Sequence, residues 1–118
     1  MAFKSGLERT VDANLRSRRV KFTYETLELP YILNGNYHPD FILSNGVIIE
    51  VKGVLDRESK RKMLAVKKQH PDRDIRFLFQ EANKKVPGTK QTHAMWADRN
   101  GFPWCEGTVP EEWLNDRQ

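Results

Sequence analysis

Pro39-Asp40, nine intervening residues and then Glu50-Val51-Lys52 set two carboxylates and an ammonium group at a spacing that phosphodiester chemistry can use. In a strand over 47–52, residues two apart share a face. Glu50 and Lys52 then emerge side by side, while Val47, Ile49 and Val51 point the other way into a core. Two carboxylates within reach of one another can hold a divalent cation, and Mg²⁺ takes oxygen ligands. The lysine can stabilise a charged phosphate or position an attacking water. The same residues on an edge strand would serve only solubility. Against that, Val47, Ile48, Ile49 and Val51 make the strand apolar enough for the centre of a sheet. Asn45-Gly46 is a strong hairpin signal between 37–43 and 47–52, and folding back there carries Asp40 towards Glu50. His38, two residues before Asp40, is a candidate supporting contact; His70 and His93 have no zinc-ligand spacing and read as surface or core groups.

The surrounding elements must place these groups. Ser5 is a helix N-cap with Glu8 three residues on, in capping-box spacing, and Leu7, Val11 and Leu15 form the buried stripe of the helix that follows. Glu8 borders that stripe. It either completes the cap or reaches the metal site as a third acid. Residues 21–29 alternate as a strand stopped by Pro30, and 31–36 connect to the hairpin. Gly53 ends the second hairpin strand. A basic amphipathic helix over 57–70 turns Met63, Val66 and Leu55 inward and stops at His70-Pro71, and 75–79 form another apolar strand. Helix, three strands, helix and strand predict an α/β fold with a mixed sheet. Further on, Pro87-Gly88 is a turn, 92–100 a short helix with Met95 and Trp96 as core candidates, and 110–115 a final helical turn with Trp113. Trp104 and Trp113 read as packing residues rather than base-stacking platforms.

A length of 118 residues fits one domain, 1–118, with a modest core. The formal charge is +4, from 20 Lys and Arg against 16 Asp and Glu, and its distribution says more than its sum. Arg57, Lys60, Arg61, Lys62, Lys67 and Lys68 crowd the second helix, and Arg16, Arg18, Arg19 and Lys21 follow the first. Lys84, Lys85 and Lys90 share a loop. Such patches track phosphates through salt-dependent attraction, or are simply solvated faces. Cys105 is the lone cysteine, which excludes an internal disulfide and fits a reducing interior. With no long apolar run or signal-peptide pattern, a soluble cytoplasmic protein is expected. No Gly-rich nucleotide loop supports small phosphate-ester chemistry, and no aromatic–basic interleaving supports an RNA-binding sheet.

The segments 2–8, Pro30-Tyr31, Pro39-Asp40-Phe41, Glu50-Val51-Lys52-Gly53, Gln69-His70-Pro71, Asp74-Ile75-Arg76 and Pro110-Glu111-Glu112-Trp113 together resemble the bacteriophage endonuclease I family, the four-way (Holliday) DNA junction resolvases. The order runs from about residue 2 to residue 114, far more specific than a Pro-Asp and Glu-x-Lys pair. The resemblance implies a restriction-endonuclease-like mixed sheet flanked by helices, in a homodimer whose chains exchange elements. It implies catalysis by Glu8, Asp40, Glu50 and Lys52. Asp40 and Glu50 would be the main ligands of Mg²⁺, with Mn²⁺ able to substitute, the Val51 carbonyl completing the site and Glu8 helping with a second ion. Residues 30–37 would be the bridge between halves, shorter here than the family's. Each site would take Glu8 from one chain and Asp40, Glu50 and Lys52 from the other. The products would carry 5′-phosphate and 3′-hydroxyl ends. Lys4, Arg16, Arg18, Arg19, Lys21 and the basic groups of 57–68 would hold backbone phosphates and read DNA shape rather than base sequence. Two other readings stay open: a restriction-like or repair nuclease acting on linear, nicked or mismatched duplex, and a non-catalytic DNA-binding structural protein.

Overall fold

The structure, a computed structural model, describes residue 3, residues 5–30 and residues 35–115. Lys4 and residues 31–34 of the expected bridge therefore lie outside the described residues. Helix α1 (Gly6–Ser17) starts as its sequence requires: Ser5 is extended and its hydroxyl accepts the Glu8 N–H. Val11 and Leu15 are buried on the inner face.

The expected strand over 21–29 is shorter in the structure. Strand β1 (Phe22–Tyr24) ends at Glu25, whose φ of 54° lies in the left-handed region and turns the chain out of the sheet. Strand β2 (Leu29–Pro30) pairs instead with β3 (Asn36–Tyr37) in a separate two-stranded sheet, Leu29 opposite Tyr37. The expected strand over 37–43 is likewise divided between β3 and β4 (Phe41–Leu43). Pro39 lies in the break and has no N–H to give a ladder, which leaves Asp40 at the lip of β4. The Asn45-Gly46 turn then forms as expected, with Gly46 at φ 93° and Asn45 Oδ1 accepting the Val47 N–H, and leads into β5 (Ile48–Lys52).

Helix α2 (Arg57–Gln69), capped by Asp56, crosses to β6 (Ile75–Phe79), which lies parallel to β5. Helix α3 (His93–Arg99) crosses to β7 (Trp104–Glu106), parallel to β6, and α4 (Glu111–Asn115) closes the described chain. The main sheet has the order β1-β4-β5-β6-β7, antiparallel at the hairpin and parallel beyond it. Strand β5 is its middle strand. The result is an α/β fold with a five-stranded mixed sheet flanked by helices, as the element order predicts.

Each face of the sheet has its own core. Ile49, Val51, Phe41 and Leu78 pack with Val11 and Leu15 of α1 and Trp113 of α4, whereas Ile48, Phe77 and Phe79 pack with Met63 and Val66 of α2 and Trp96 of α3. Met95, a core candidate by sequence, is instead 51% exposed, because the inner face of α3 is formed by His93, Ala94, Trp96 and Ala97. His93 is fully enclosed: its Nε2 accepts the Leu55 N–H and its Nδ1 meets the Glu81 carbonyl. Burial pushes the Cys105 thiol up to about 12, so it remains an unreactive packing group.

Candidate active site

Strand β5 brings Glu50 into the middle of the molecule, where its residue is only 4% exposed. The two carboxylate oxygens have different partners. The Tyr37 hydroxyl donates to Oε1 at 2.7 Å, and Lys52 Nζ lies 3.5 Å from Oε2. Burial, then the Glu50 charge, hold the Tyr37 phenol well above its usual range, so it remains a donor. Lys52 Nζ also donates to Ser59 Oγ at 3.2 Å, and the Ser59 N–H donates to the cap residue Asp56 at 2.7 Å. These Ser59 bonds hold the Asp56 carboxyl below its usual range. The first turn of α2 thus anchors the lysine over the sheet.

Asp40 arrives from the other strand of the hairpin. The β4–β5 ladder runs to Phe41 opposite Ile49, and beyond it the Asp40 side chain takes over: Oδ2 accepts the Val51 N–H at 2.8 Å. Burial, then the neighbouring Glu50 charge, push its carboxyl up to about 8 against an ordinary 3.8, with Glu8 adding to the rise. Glu8 comes from the first turn of α1 and is also buried. Ser5 caps the helix through the Glu8 backbone, which leaves the Glu8 side chain available. Its Oε1 accepts from Ser5 Oγ at 3.3 Å, its Oε2 from the Tyr24 hydroxyl at 2.8 Å, and it hydrogen-bonds the Asp40 side chain. Cap and site are both served.

Three buried acids, two of which raise the proton affinity of the third, Asp40, are a poor arrangement for packing alone. All their donor atoms are oxygens, the set a hard divalent cation prefers, so the residues fit Mg²⁺ or Mn²⁺. Among the described residues no group of three His, Cys, Asp or Glu side chains is already gathered as a metal cage. A cleft of about 630 Å³ opens between the first turns of α1 and the end of β5, lined by Ser5, Leu7, Thr10, Val51, Gly53 and Gln80.

The other candidates separate by position. His38 does not support the acids; it is half exposed and lies 3.7 Å from Glu28, because the chain turns at Pro39. Arg16 is held by Asp12 at 2.6 Å and covers the Phe22 ring, and Arg18 donates to Asn14 and to the Val109 carbonyl. Arg19 and Lys21 are exposed and line a second cleft with Ser44, Glu111 and Asn115. That cleft sits at the far end of α1 from Glu8, roughly 15 Å along the helix at its rise of about 1.5 Å per residue. On α2, Arg57 and Arg61 are exposed and Lys60 partly so near the Lys52 anchor, whereas Lys62 covers the Tyr37 ring. Lys67 donates to the Gly101 carbonyl over the Phe102 ring, and Lys68 is exposed on the last turn. Sequence reasoning missed Tyr24, Tyr37 and Ser59 as partners of the charged groups. Their hydroxyls carry no pattern of their own; a tyrosine three residues before Asp40 was the available signal.

Carboxylate oxygens and a lysine on the central strand of a mixed sheet define a class of enzymes, the metal-dependent nucleases that cleave phosphodiesters. Within that class the chain matches phage endonuclease I over residues 1–118, and it belongs to that family. It is 34% identical over 119 residues to Endonuclease I of Escherichia phage T7, an overlap covering 98% of this chain and 80% of the relative. It is 36% identical over 113 residues to Endodeoxyribonuclease 1 of Enterobacteria phage T3, covering 92% and 74% respectively. The chain is an endodeoxyribonuclease.

Proposed function

We propose that this enzyme is a divalent-metal-dependent resolvase of branched DNA that cuts four-way junctions by paired phosphodiester hydrolysis. The observation that carries the reading is the gathering of three buried carboxylates, Asp40 against Glu50 and Glu8, whose ionised form a divalent cation would stabilise. Asp40 and Glu50 are the principal ligands of Mg²⁺ or Mn²⁺, with the Val51 carbonyl beside them and Glu8 assisting a second ion. A cation so held supplies charge neutralisation at the phosphate and acidifies a bound water. Lys52, oriented by Glu50 and Ser59, meets the negative charge that develops on the phosphate or orients the attacking water. The cleft beside Val51 admits the scissile strand, and the products retain 5′-phosphate and 3′-hydroxyl ends.

Opposed incisions in one junction require two equivalent sites, which a two-fold dimer provides. We read residues 1–118 as a single restriction-endonuclease-like domain with 30–37 as the bridge. Within one chain, Glu8 meets Asp40 and Leu29 pairs with Tyr37 across that segment. Element exchange would re-form the same contacts between chains. No described helix is long and apolar enough to cross a membrane, and we place the enzyme's action in the host cytoplasm.

The test is cleavage of an immobile four-way junction, mapped on all four labelled strands beside a matched linear duplex, in Mg²⁺ and in EDTA. Paired, metal-dependent cuts confined to the branch are expected. Equal cutting of both substrates would move the activity to general duplex repair or restriction, and no cutting of either would leave a DNA-binding role.

The α2 contacts permit a sharper expectation. Arg57→Ala and Arg61→Ala, which lose exposed charges, should weaken junction binding and lower the slope of log K against log salt by about 1 for each phosphate contact removed. Lys67→Ala, already committed to Gly101, should change that slope little. Binding titrations at several salt concentrations distinguish the two groups.

A further inference from the structure

Glu50 and Tyr37 belong to different sheets. Tyr37 ends β3, opposite Leu29, while Glu50 lies at the centre of β5, and the Tyr37 side chain spans the gap between them. Its residue is 1% exposed, its ring is covered by Lys62, and its hydroxyl donates to Glu50 Oε1 at 2.7 Å. Oε2 is left facing Lys52 at 3.5 Å. A glutamate carboxylate turns about several soft torsions, and its terminal torsion is broad, so the backbone of β5 alone does not set the direction of its oxygens. Asp40 is oriented by a backbone N–H and Glu8 by Ser5 and Tyr24; for Glu50 that task falls to the Tyr37 hydroxyl.

We propose that Tyr37 is a positioning residue for metal binding: its hydroxyl sets the direction of the Glu50 carboxylate and so prepares this ligand for a divalent cation. The inference rests on the reading that Asp40 and Glu50 hold that cation. Because Tyr37 also terminates the 30–37 segment, it ties the conformation of the bridge to the geometry of a ligand. A partner bonded behind a ligating group commonly changes metal affinity by about 10–100-fold.

The experiment is an Mn²⁺ titration of the DNA-free protein, following the electron paramagnetic resonance signal of the free ion. Tyr37→Phe keeps the ring and its packing and removes only the oxygen. Its Mn²⁺ dissociation constant should rise about tenfold or more, with the melting temperature in EDTA little changed, and saturating Mn²⁺ should restore most of the cleavage rate. In a Glu50→Gln background the same change should add little further loss, because the two residues act through one contact. Unchanged affinity in Tyr37→Phe, or an equal loss with and without Glu50, overturns the role of Tyr37. Failure of the wild-type protein to take up Mn²⁺ would overturn the metal reading itself.

Discussion

Asp40→Asn should abolish cleavage and, in the metal-free protein, raise thermal stability above neutral pH. The two effects have one origin. The folded protein holds the Asp40 carboxyl proton up to about pH 8, against 3.8 for the ordinary group, chiefly through burial and then through the Glu50 charge. The unfolded chain has already released that proton in this interval. Asp40 therefore contributes stability fully below about 3.8, and the contribution is lost as the pH rises through about 8. Asparagine keeps the shape and an oxygen for the Val51 N–H but acquires no charge, so the variant should escape this loss. Metal-free melts of both proteins between about pH 5 and about pH 9 measure it: the variant's advantage should grow with pH. An advantage that shrinks would mean that Asp40 is ionised and well paired in the folded protein. For activity, a bound cation is worth several kcal/mol to the transition state, and each 1.36 kcal/mol is tenfold in rate. Losing what we propose to be a principal ligand should thus cost on the order of a thousandfold or more in metal-dependent cleavage. That pair of outcomes would mean that stability is sacrificed to function at this position.

Lys52→Ala should lower the cleavage rate by about 10²–10³-fold, the range for removing one preorganised group from a transition state, while junction binding in the absence of metal stays near the wild-type value. The separation follows from geometry. Lys52 is largely covered and faces Glu50 and Ser59, whereas Arg57 and Arg61 on α2 and Arg19 and Lys21 at the second cleft are exposed, and we propose that those charges supply the DNA contacts. Single-turnover cleavage and a gel-shift titration report the two quantities independently. Parallel losses in both would make Lys52 a phosphate anchor, and an unimpaired rate would remove it from catalysis. Ser59→Ala, which frees the lysine without deleting it, should show a smaller decrease in the same assay.

Much of this site is legible in the chain because its determinants are local. The Asn45-Gly46 turn and the apolar run of 47–51 favour a hairpin, and that hairpin moves Asp40 towards Glu50, while the strand period puts Glu50 and Lys52 on one face. Cap chemistry places the start of α1 at Ser5. Where sequence expectation misses, the reason is local backbone conformation at two positions and tertiary packing at a third. Glu25 leaves the ladder through a left-handed backbone, Pro39 interrupts the strand that holds Asp40, and Met95 turns outward because Ala94, Trp96 and Ala97 fill the space over β6 and β7. Strand β7 is three residues long, too short for any periodicity to mark it.

The chemistry was therefore determined by residue type and short-range spacing: oxygen donors, one lysine, and the strand period that aligns them. Tertiary structure alone decided how that chemistry is held. Whether Glu8 would serve its helix cap or the acids depended on the packing of α1 over the sheet, which buries its carboxylate against Tyr24 and Asp40. The proton affinity of Asp40 depended on burial, and the direction of Glu50 on a tyrosine from a second sheet. Hydrogen bonds and desolvation act across space between residues far apart in the chain, and no local pattern encodes them.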